Sequence, residues 1–468
     1  DPGYHILRVV TGEVINPLGL ALTHPLHHWL GRLAVRPGWG EPAYAVTLVS
    51  AVFAAIAVAN VFGGVWTLTG SRTAAWWSAA SLATAHTFWQ MATRAECYTV
   101  SAALLSAEWW CVAVFARSGR ARYVCAALLL NGLGLANHNL ALLTLPLLVI
   151  VAVHGFRRGR MRPGHLLMAA GLWLIGSLPY TGLVVAQWLE SGDLQSVLRS
   201  ALFGRSFEGR VLGAGLSLRL VGLSVGYIGF NFPNLLLPAA AFGAIKAGQL
   251  GISPLFRWPV LGALLVHTGF VLRYDVPDQY MFFVPVYVLI CILGGIGFAA
   301  FIRSPVTGPR RAFARVAVGL VILTPPFYAA AASIARRYDL LASVDRHKPY
   351  RDDYTYVLIP WSVSEDSADR LSRDAVRLAG PGGLIIVEDL MASYAVRYRA
   401  MSAEHPQPAV VSPEDTERIT TAATEHRTVV LVPQIRDHPR TPCPLLGAWQ
   451  TNGQLYVMNQ GFVNRSAP

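Results

Sequence analysis

The chain has 468 residues, 54% of them hydrophobic and 14% charged, with a mean hydropathy of +0.43. Soluble domains carry about 25% charged residues, so this balance excludes an ordinary soluble enzyme and points to a polytopic α-helical membrane protein. The net charge of +12 is carried almost wholly by arginine, since Lys246 and Lys348 are the only lysines. The arginines stand in short clusters between apolar runs, which marks loop anchors and not a nucleic-acid surface. An arginine bias of this kind fits a GC-rich bacterial genome, so the expected location is a bacterial inner (cytoplasmic) membrane.

The first stretch, DPGYHILRVVTGEVINPLGLALTHPLHHWLG, is polar for so apolar a chain. It begins at Asp1 without methionine, and the expectation is a membrane helix upstream of it, with residues 1–41 forming the first external loop. Asp1, Glu13, His24, His27 and His28 supply carboxylates and polar neighbours of the kind that hydroxyl activation needs. The same residues fit an interfacial loop in which LGLAL lies on the bilayer.

Apolar runs follow at 43–69, 74–91, 97–116, 122–136, 139–155, 164–187, 216–247, 258–272, 281–302 and 313–335, about ten membrane segments. RSGRAR (117–122), RRGRMR (157–162) and RSPVTGPRRAFAR (303–315) are short basic loops, placed inside by the positive-inside rule. An even number of crossings must separate them. The run at 216–247, interrupted by GFNFPN, then reads as one broken crossing, and residues 1–41, 93–98, 136–139, 188–215 and 273–280 all face outward.

Three of these outward segments carry candidate chemistry. In TRAECY, Arg94 suits a lipid phosphate, and Glu96 and Tyr98 suit its orientation or a sugar hydroxyl; a local ion pair capping a turn is the alternative. In ANHN, Asn137, His138 and Asn139 are candidates if the tip faces a cavity. In RYDVPDQY, Arg273, Asp275 and Asp278 suit a phosphate or, through oxygen, a divalent cation, against a solvated turn around Pro277. Tyr180, in SLPY, reads as structural beside a proline kink.

After Arg337 the composition changes, and 338–468 reads as a small α/β soluble domain on the outer side. Strands are expected at 354–361, 383–389 and 427–434, a helix in SADRLSRDAVRLAG, and a hairpin turning at Asn452-Gly453. The five cysteines, Cys97, Cys111, Cys125, Cys291 and Cys443, show neither a disulfide framework nor metal-type spacing.

Taken in order, HPLHHWLGRL, FWQMATRAECY, GLANHN, SLPY and YDVPDQYMFFVPVY resemble a membrane-protein family long filed as a domain of unknown function. Its animal relatives are the plexin-type protein O-mannosyltransferases, within the GT-C superfamily of polytopic glycosyltransferases. The resemblance covers roughly residues 1–303. It implies transfer of mannose or a similar hexose from a polyprenyl-phosphate carrier to a protein or glycan acceptor on the outer face, with membrane lipid as a further partner and no nucleic acid.

The resemblance also implies a catalytic carboxylate in the first external loop. Family members show Asp-Ser-Gly-Glu followed by His-Pro; here DPGY keeps the aspartate and glycine, and TGEV the glycine and glutamate. The expected base is Asp1, with Glu13 as the alternative. Arg94 and Arg273 are the implied phosphate contacts, and His24, His27, Glu96, Tyr98, Asn137, His138, Asp275 and Asp278 the implied sugar or carrier contacts. No cofactor or metal is expected. A transporter or lipid-linked-saccharide flippase, or an inactive scaffold, are the rival readings; inverted repeats and midplane polar groups, which mark transporters, are not evident in the sequence.

Overall fold

A computed structural model describes residues 2–458 except 206, 214, 304–307, 343–345, 362, 364, 404 and 440–448. Asp1, Cys443 and the possible glycosylation triplet at 464–466 lie outside the described residues. The chain divides into two compact units, residues 12–328 and residues 1–11 with 329–468.

The helices begin with α1 (Pro2–Thr11), α2 (Pro25–Val35), α3 (Pro42–Thr69), α4 (Arg72–Ala83), α5 (His86–Ala92), α6 (Tyr98–Ser118), α7 (Arg122–Asn137), α8 (Leu145–Arg157) and α9 (Pro163–Ser191). They continue with α10 (Leu194–Phe203), α11 (Glu208–Leu212), α12 (Leu218–Asn231), α13 (Leu236–Lys246), α14 (Pro254–Leu272), α15 (Gln279–Phe282), α16 (Val284–Arg303), α17 (Gly308–Ile322) and α18 (Thr324–Arg337). Pro42, Pro163 and Pro254 open α3, α9 and α14, where a missing N–H is harmless. Gly70, Gly119 and Gly192 close α3, α6 and α9 in the left-handed region.

Among the described residues five helices, α3, α6, α9, α14 and α16, are long and apolar enough to cross a membrane. The count rises to seven if two bent pairs each form one span: Leu218–Asn231 with Leu236–Leu250, bent by 99°, and Ala312–Ile322 with Thr324–Arg337, bent by 55°. This is fewer than the ten apolar runs suggest, for a local reason. The run at 74–91 breaks at Thr84–Ala85 into two short helices, and His138 separates the 16-residue α7 from a 3₁₀ turn and the 13-residue α8. The interruption within 216–247 is a sharp bend, as the GFNFPN segment suggests.

Nor is the opening stretch an open loop. It folds into α1, a 3₁₀ turn at Leu20–Leu22 and α2. Leu20 does not lie on a bilayer surface: it is fully buried against Leu135, Tyr180 and Val197.

The membrane unit is organised around α16, which is apolar all round and buried along most of its length, with α3, α4, α6, α13 and α14 packed on it. Among lipid-exposed helices hydrophobicity gives little drive to associate, so close backbone approach matters more. At Gly132 of α7 a Cβ would run into the Trp173 carbonyl of α9, and at Gly176 of α9 into the Leu129 carbonyl of α7. Gly132→Val is therefore expected to separate α7 from α9 and to cost ~1–3 kcal/mol. Thermal unfolding in detergent checks this, with Gly171→Val, which meets nothing within 4 Å, as the unaffected control.

In the second unit, α1 packs on α21, with the Tyr4 and Tyr394 rings 4.7 Å apart. The helices here are α19 (Asp353–Leu358), α20 (Ser367–Ala379), α21 (Leu390–Ala400) and α22 (Thr416–Thr424). The strands are β1 (Leu384–Val387), β2 (Ala409–Val411), β3 (Val429–Val432), β4 (Trp449–Asn452) and β5 (Leu455–Met458). They form one sheet in the order β2-β1-β3-β5-β4, parallel through β2, β1 and β3 and antiparallel beyond. Alternate residues face opposite layers. Ile385, Val387, Val430 and Val432 meet Leu371, Ala375 and Val396 of α20 and α21, whereas Leu384, Ile386, Val429 and Leu431 meet Ile419, Ala422 and Ala423 of α22. Gly453, at φ +63°, turns the β4–β5 hairpin.

One expected strand is absent. Residues 354–358 of the 354–361 segment belong to α19, because Asp352 caps it: its side chain accepts from the Tyr354 N–H at 3.2 Å and from the Thr355 hydroxyl at 2.6 Å. The cap outweighs the β-branched and aromatic character of YTYVLI.

Candidate functional site

The outward segments named from the sequence meet in the membrane unit. His24 stands immediately before α2 in the left-handed conformation, φ 49°, an uncommon state for a residue with a Cβ. Its Nδ1 lies 2.7 Å from the Asn137 carbonyl at the end of α7. A carbonyl only accepts, so Nδ1 carries a proton in this contact.

His138, next in the chain, has the opposite tautomer. Its Nδ1 accepts the Leu140 N–H at 3.2 Å, which leaves the proton on Nε2. The two rings stack with centroids 5.0 Å apart, and His138 brings an Nε2–H donor to the stack. Packing strips water from the half-buried His138 ring and pushes its pKa down to about 4, which keeps it neutral near pH 7.

Asn137 holds this arrangement in place. Its Nδ2 donates to the Cys97 carbonyl at 2.9 Å and to the Ser101 hydroxyl at 2.7 Å, tying the end of α7 to the start of α6. On the α5–α6 turn, Arg94 and Glu96 are buried. Ser50 of α3 clamps the Glu96 backbone, accepting from its N–H at 3.1 Å and donating to its carbonyl at 3.0 Å. Tyr98, the first residue of α6, lies 5.5 Å from the His138 ring and edge-on to Phe282 of α15 at 5.6 Å. Phe282 also meets His138 at 5.7 Å and Tyr274 at 4.9 Å.

The resulting cluster joins His24, Glu96, Tyr98, Asn137 and His138, while Asp278, at the start of α15, is exposed. Glu13 is exposed before the 3₁₀ turn, and His27 and His28 are buried in the first turn of α2. Arg273, at the end of α14, donates from Nη1 to the Gly213 carbonyl at 2.9 Å, while Asp275 is exposed. Asn139 donates to the Ala201 carbonyl at 2.7 Å, and Tyr180 donates to the same carbonyl at 2.6 Å, a structural use of both. The RYDVPDQY turn thus contributes Tyr274 and, just beyond it, the unforeseen Phe282.

His24, Cys97 and His138 place donor atoms within 4.8 Å of one another, a spacing that a transition metal could bridge. The hydrogen bonding disfavours it. Burial, with the Glu96 carboxylate beside it, pushes the Cys97 thiol above its ordinary pKa, and His138 has Nδ1 engaged and Nε2 protonated. The cluster offers hydrogen-bond donors and acceptors on an aromatic wall, which suits a polar, oxygen-rich ligand.

These features define a multi-pass membrane protein whose chemistry-bearing residues gather at helix ends, and whose second unit is a small α/β fold. Residues 17–159 match the family model described as the protein O-mannosyl-transferase TMEM260 N-terminal domain. The whole chain is similar in fold to ArnT from Cupriavidus metallidurans bound to undecaprenyl phosphate: TM-score 0.61, 14% identity, covering 99% of this chain and 93% of that one. The apo state of the same protein gives a TM-score of 0.59 at 14% identity, covering 100% and 94%. No curated protein matches the sequence. The resemblance to the O-mannosyltransferase family therefore has a sequence match over residues 17–159, and the likeness to ArnT is one of fold over the chain.

Proposed function

We propose that the protein is a membrane glycosyltransferase that moves a hexose such as mannose from a polyprenyl-phosphate carrier to a protein or glycan acceptor at the outer face of a bacterial inner membrane. The observation that carries this is the coincidence of two boundaries. The segment matching the O-mannosyl-transferase domain, 17–159, contains His24, Glu96, Tyr98, Asn137 and His138, the residues that the fold gathers from three separate helix ends. The undecaprenyl phosphate bound by the similarly folded ArnT supports a polyprenyl-phosphate donor.

In the proposed reaction a carboxylate, Asp1 or Glu13, takes the acceptor hydroxyl proton, and the oxygen bonds to the anomeric carbon of the sugar. The bond from that carbon to the carrier phosphate breaks, leaving polyprenyl phosphate with the electron pair. The Nε2–H of His138 and the guanidinium groups of Arg94 and Arg273 are the groups proposed to meet the charge developing on phosphate oxygen. His24, Glu96, Tyr98, Asn137 and Asp278 would orient sugar hydroxyls, with His27 and Asp275 as outer contacts. The reaction as proposed uses no metal or cofactor.

The test is transfer from radiolabelled polyprenyl-phosphate hexoses by the full-length protein in proteoliposomes. Asp1→Asn or Glu13→Gln, whichever removes the base, is expected to lower transfer by about 10²-fold or more. Full activity in both variants, or no transfer by folded wild type with any of several hexoses, overturns the reading.

A further inference from the structure

A second polar site lies inside the helix bundle. Glu108 is the lone acid of α6 and only 2% exposed. Asn131 of α7 donates from Nδ2 to Glu108 Oε2 at 3.0 Å, and the same amide reaches the Thr144 hydroxyl and the Ala141 carbonyl, each at 2.9 Å. Trp173 of α9 donates to Asn131 Oδ1 at 3.0 Å, which fixes the amide's orientation. Glu108 Oε1, however, is buried with no hydrogen-bond partner.

His267, on α14, is 1% exposed, and both of its ring nitrogens are buried without a partner. Glu108 and His267 line the same cavity, together with Ser101, Thr144 and, toward the cluster described above, His138. The cavity has room for a water molecule and enough polar groups to hold one.

Charge decides what occupies it. The hydrogen-bond partners of Glu108 are neutral, and an ionised carboxylate among apolar helices without a counter-charge is costly, as is an isolated imidazolium. A carboxylic acid and a neutral imidazole avoid both costs, and each still needs a hydrogen-bond partner. We propose that this cavity binds water and one exchangeable proton, held between the Glu108 carboxyl and the His267 ring.

The pair stays neutral whichever end holds that proton. When Glu108 gives its O–H proton to the water and the water gives one to His267, an O–H bond breaks, an N–H bond forms, and carboxylate and imidazolium balance. The proton can therefore pass between α6 and α14 without net charge entering the bundle. Nothing in this inference depends on the transfer reaction.

Infrared difference spectroscopy of the full chain in lipid nanodiscs near neutral pH tests it. Glu108→Gln is expected to remove a protonated-carboxyl band that shifts in D₂O, and His267→Leu to move that band without removing it. Loss of carboxylate bands in Glu108→Gln, or a band unmoved by His267→Leu, overturns the proposal. If His267→Leu does not elute as folded protein, ¹⁵N-histidine spectra of wild type and Glu108→Gln replace it. A ring signal that changes on Glu108→Gln supports the water link, and unchanged ring signals overturn it.

Discussion

His138→Phe is expected to lower sugar transfer by about 10²-fold while leaving the protein folded. Phenylalanine fills the space of the imidazole and keeps the contacts to Tyr98 and Phe282, whose centroids lie 5.5 and 5.7 Å away. What it removes is the Nε2–H, together with the Nδ1 that accepts the Leu140 N–H, a loss of about 1–3 kcal/mol that a folded membrane unit can absorb. Loss of one preorganised donor to a developing oxyanion costs roughly 10²–10³ in rate, and this donor is proposed to serve that role on phosphate. Because the ring pKa is pushed down to about 4, the wild-type donor is a neutral N–H, and no loss of activity from His138 titration is expected between pH 5 and 8. The proteoliposome assay, run across that range, checks both statements. Unchanged transfer by folded His138→Phe would remove His138 from the reaction.

Much of this arrangement is legible in the sequence because polar residues in a membrane chain are expensive and cluster where they are used. TRAECY, ANHN and the histidine of THP stand out against apolar runs, and these are the segments that meet around Tyr98 and His138. Three things were not legible. The sequence does not tell that Asn137 works mainly through its backbone carbonyl and amide, since only the three-dimensional approach of α2, α6 and α7 reveals its partners. Phe282 belongs to an apolar run and looks like core until it is seen against His138. Glu108 did carry a signal, a single acid within the run at 97–116, but its partners Asn131 and His267 lie on other helices.

The fold shows the same division. Long apolar runs and the Asn452-Gly453 turn identify spans and hairpin directly, because periodicity and turn chemistry are local. The short helices α4, α5 and α7 are misread from hydropathy alone, since apolar length does not register a helix end buried inside protein. The 354–361 segment fails for the converse reason: a single aspartate cap, Asp352, decides the outcome over a pattern that otherwise favours a strand.

The bend between α12 and α13 rests on one side chain, and Asn231→Leu is expected to destabilise the membrane unit by about 3 kcal/mol. A 99° break exposes helix ends that must be satisfied by protein if lipid surrounds them. Asn231 Oδ1 accepts the Thr87 N–H at 2.7 Å, one of the unpaired amides at the start of α5. Its Nδ2 donates to the Tyr227 carbonyl at 2.8 Å, within the last turn of α12, and reaches the Thr87 and Tyr287 hydroxyls at 3.1 and 3.0 Å. Buried hydrogen bonds between membrane helices average below about 1 kcal/mol, because separated helices find other partners. A helix-start N–H cannot turn to another partner within its own helix, so leaving it orphaned costs the larger desolvation penalty of ~1–3 kcal/mol. Tyr328→Phe is the graded comparison: it removes a hydroxyl that donates to the Thr84 and Asn231 carbonyls at 3.0 and 3.2 Å, and about 1 kcal/mol is expected. Thermal unfolding in one detergent ranks the two variants. Equal midpoints for Asn231→Leu and wild type would mean that the bend is held by packing of Phe232 and Leu236 in the apolar core and not by the amide.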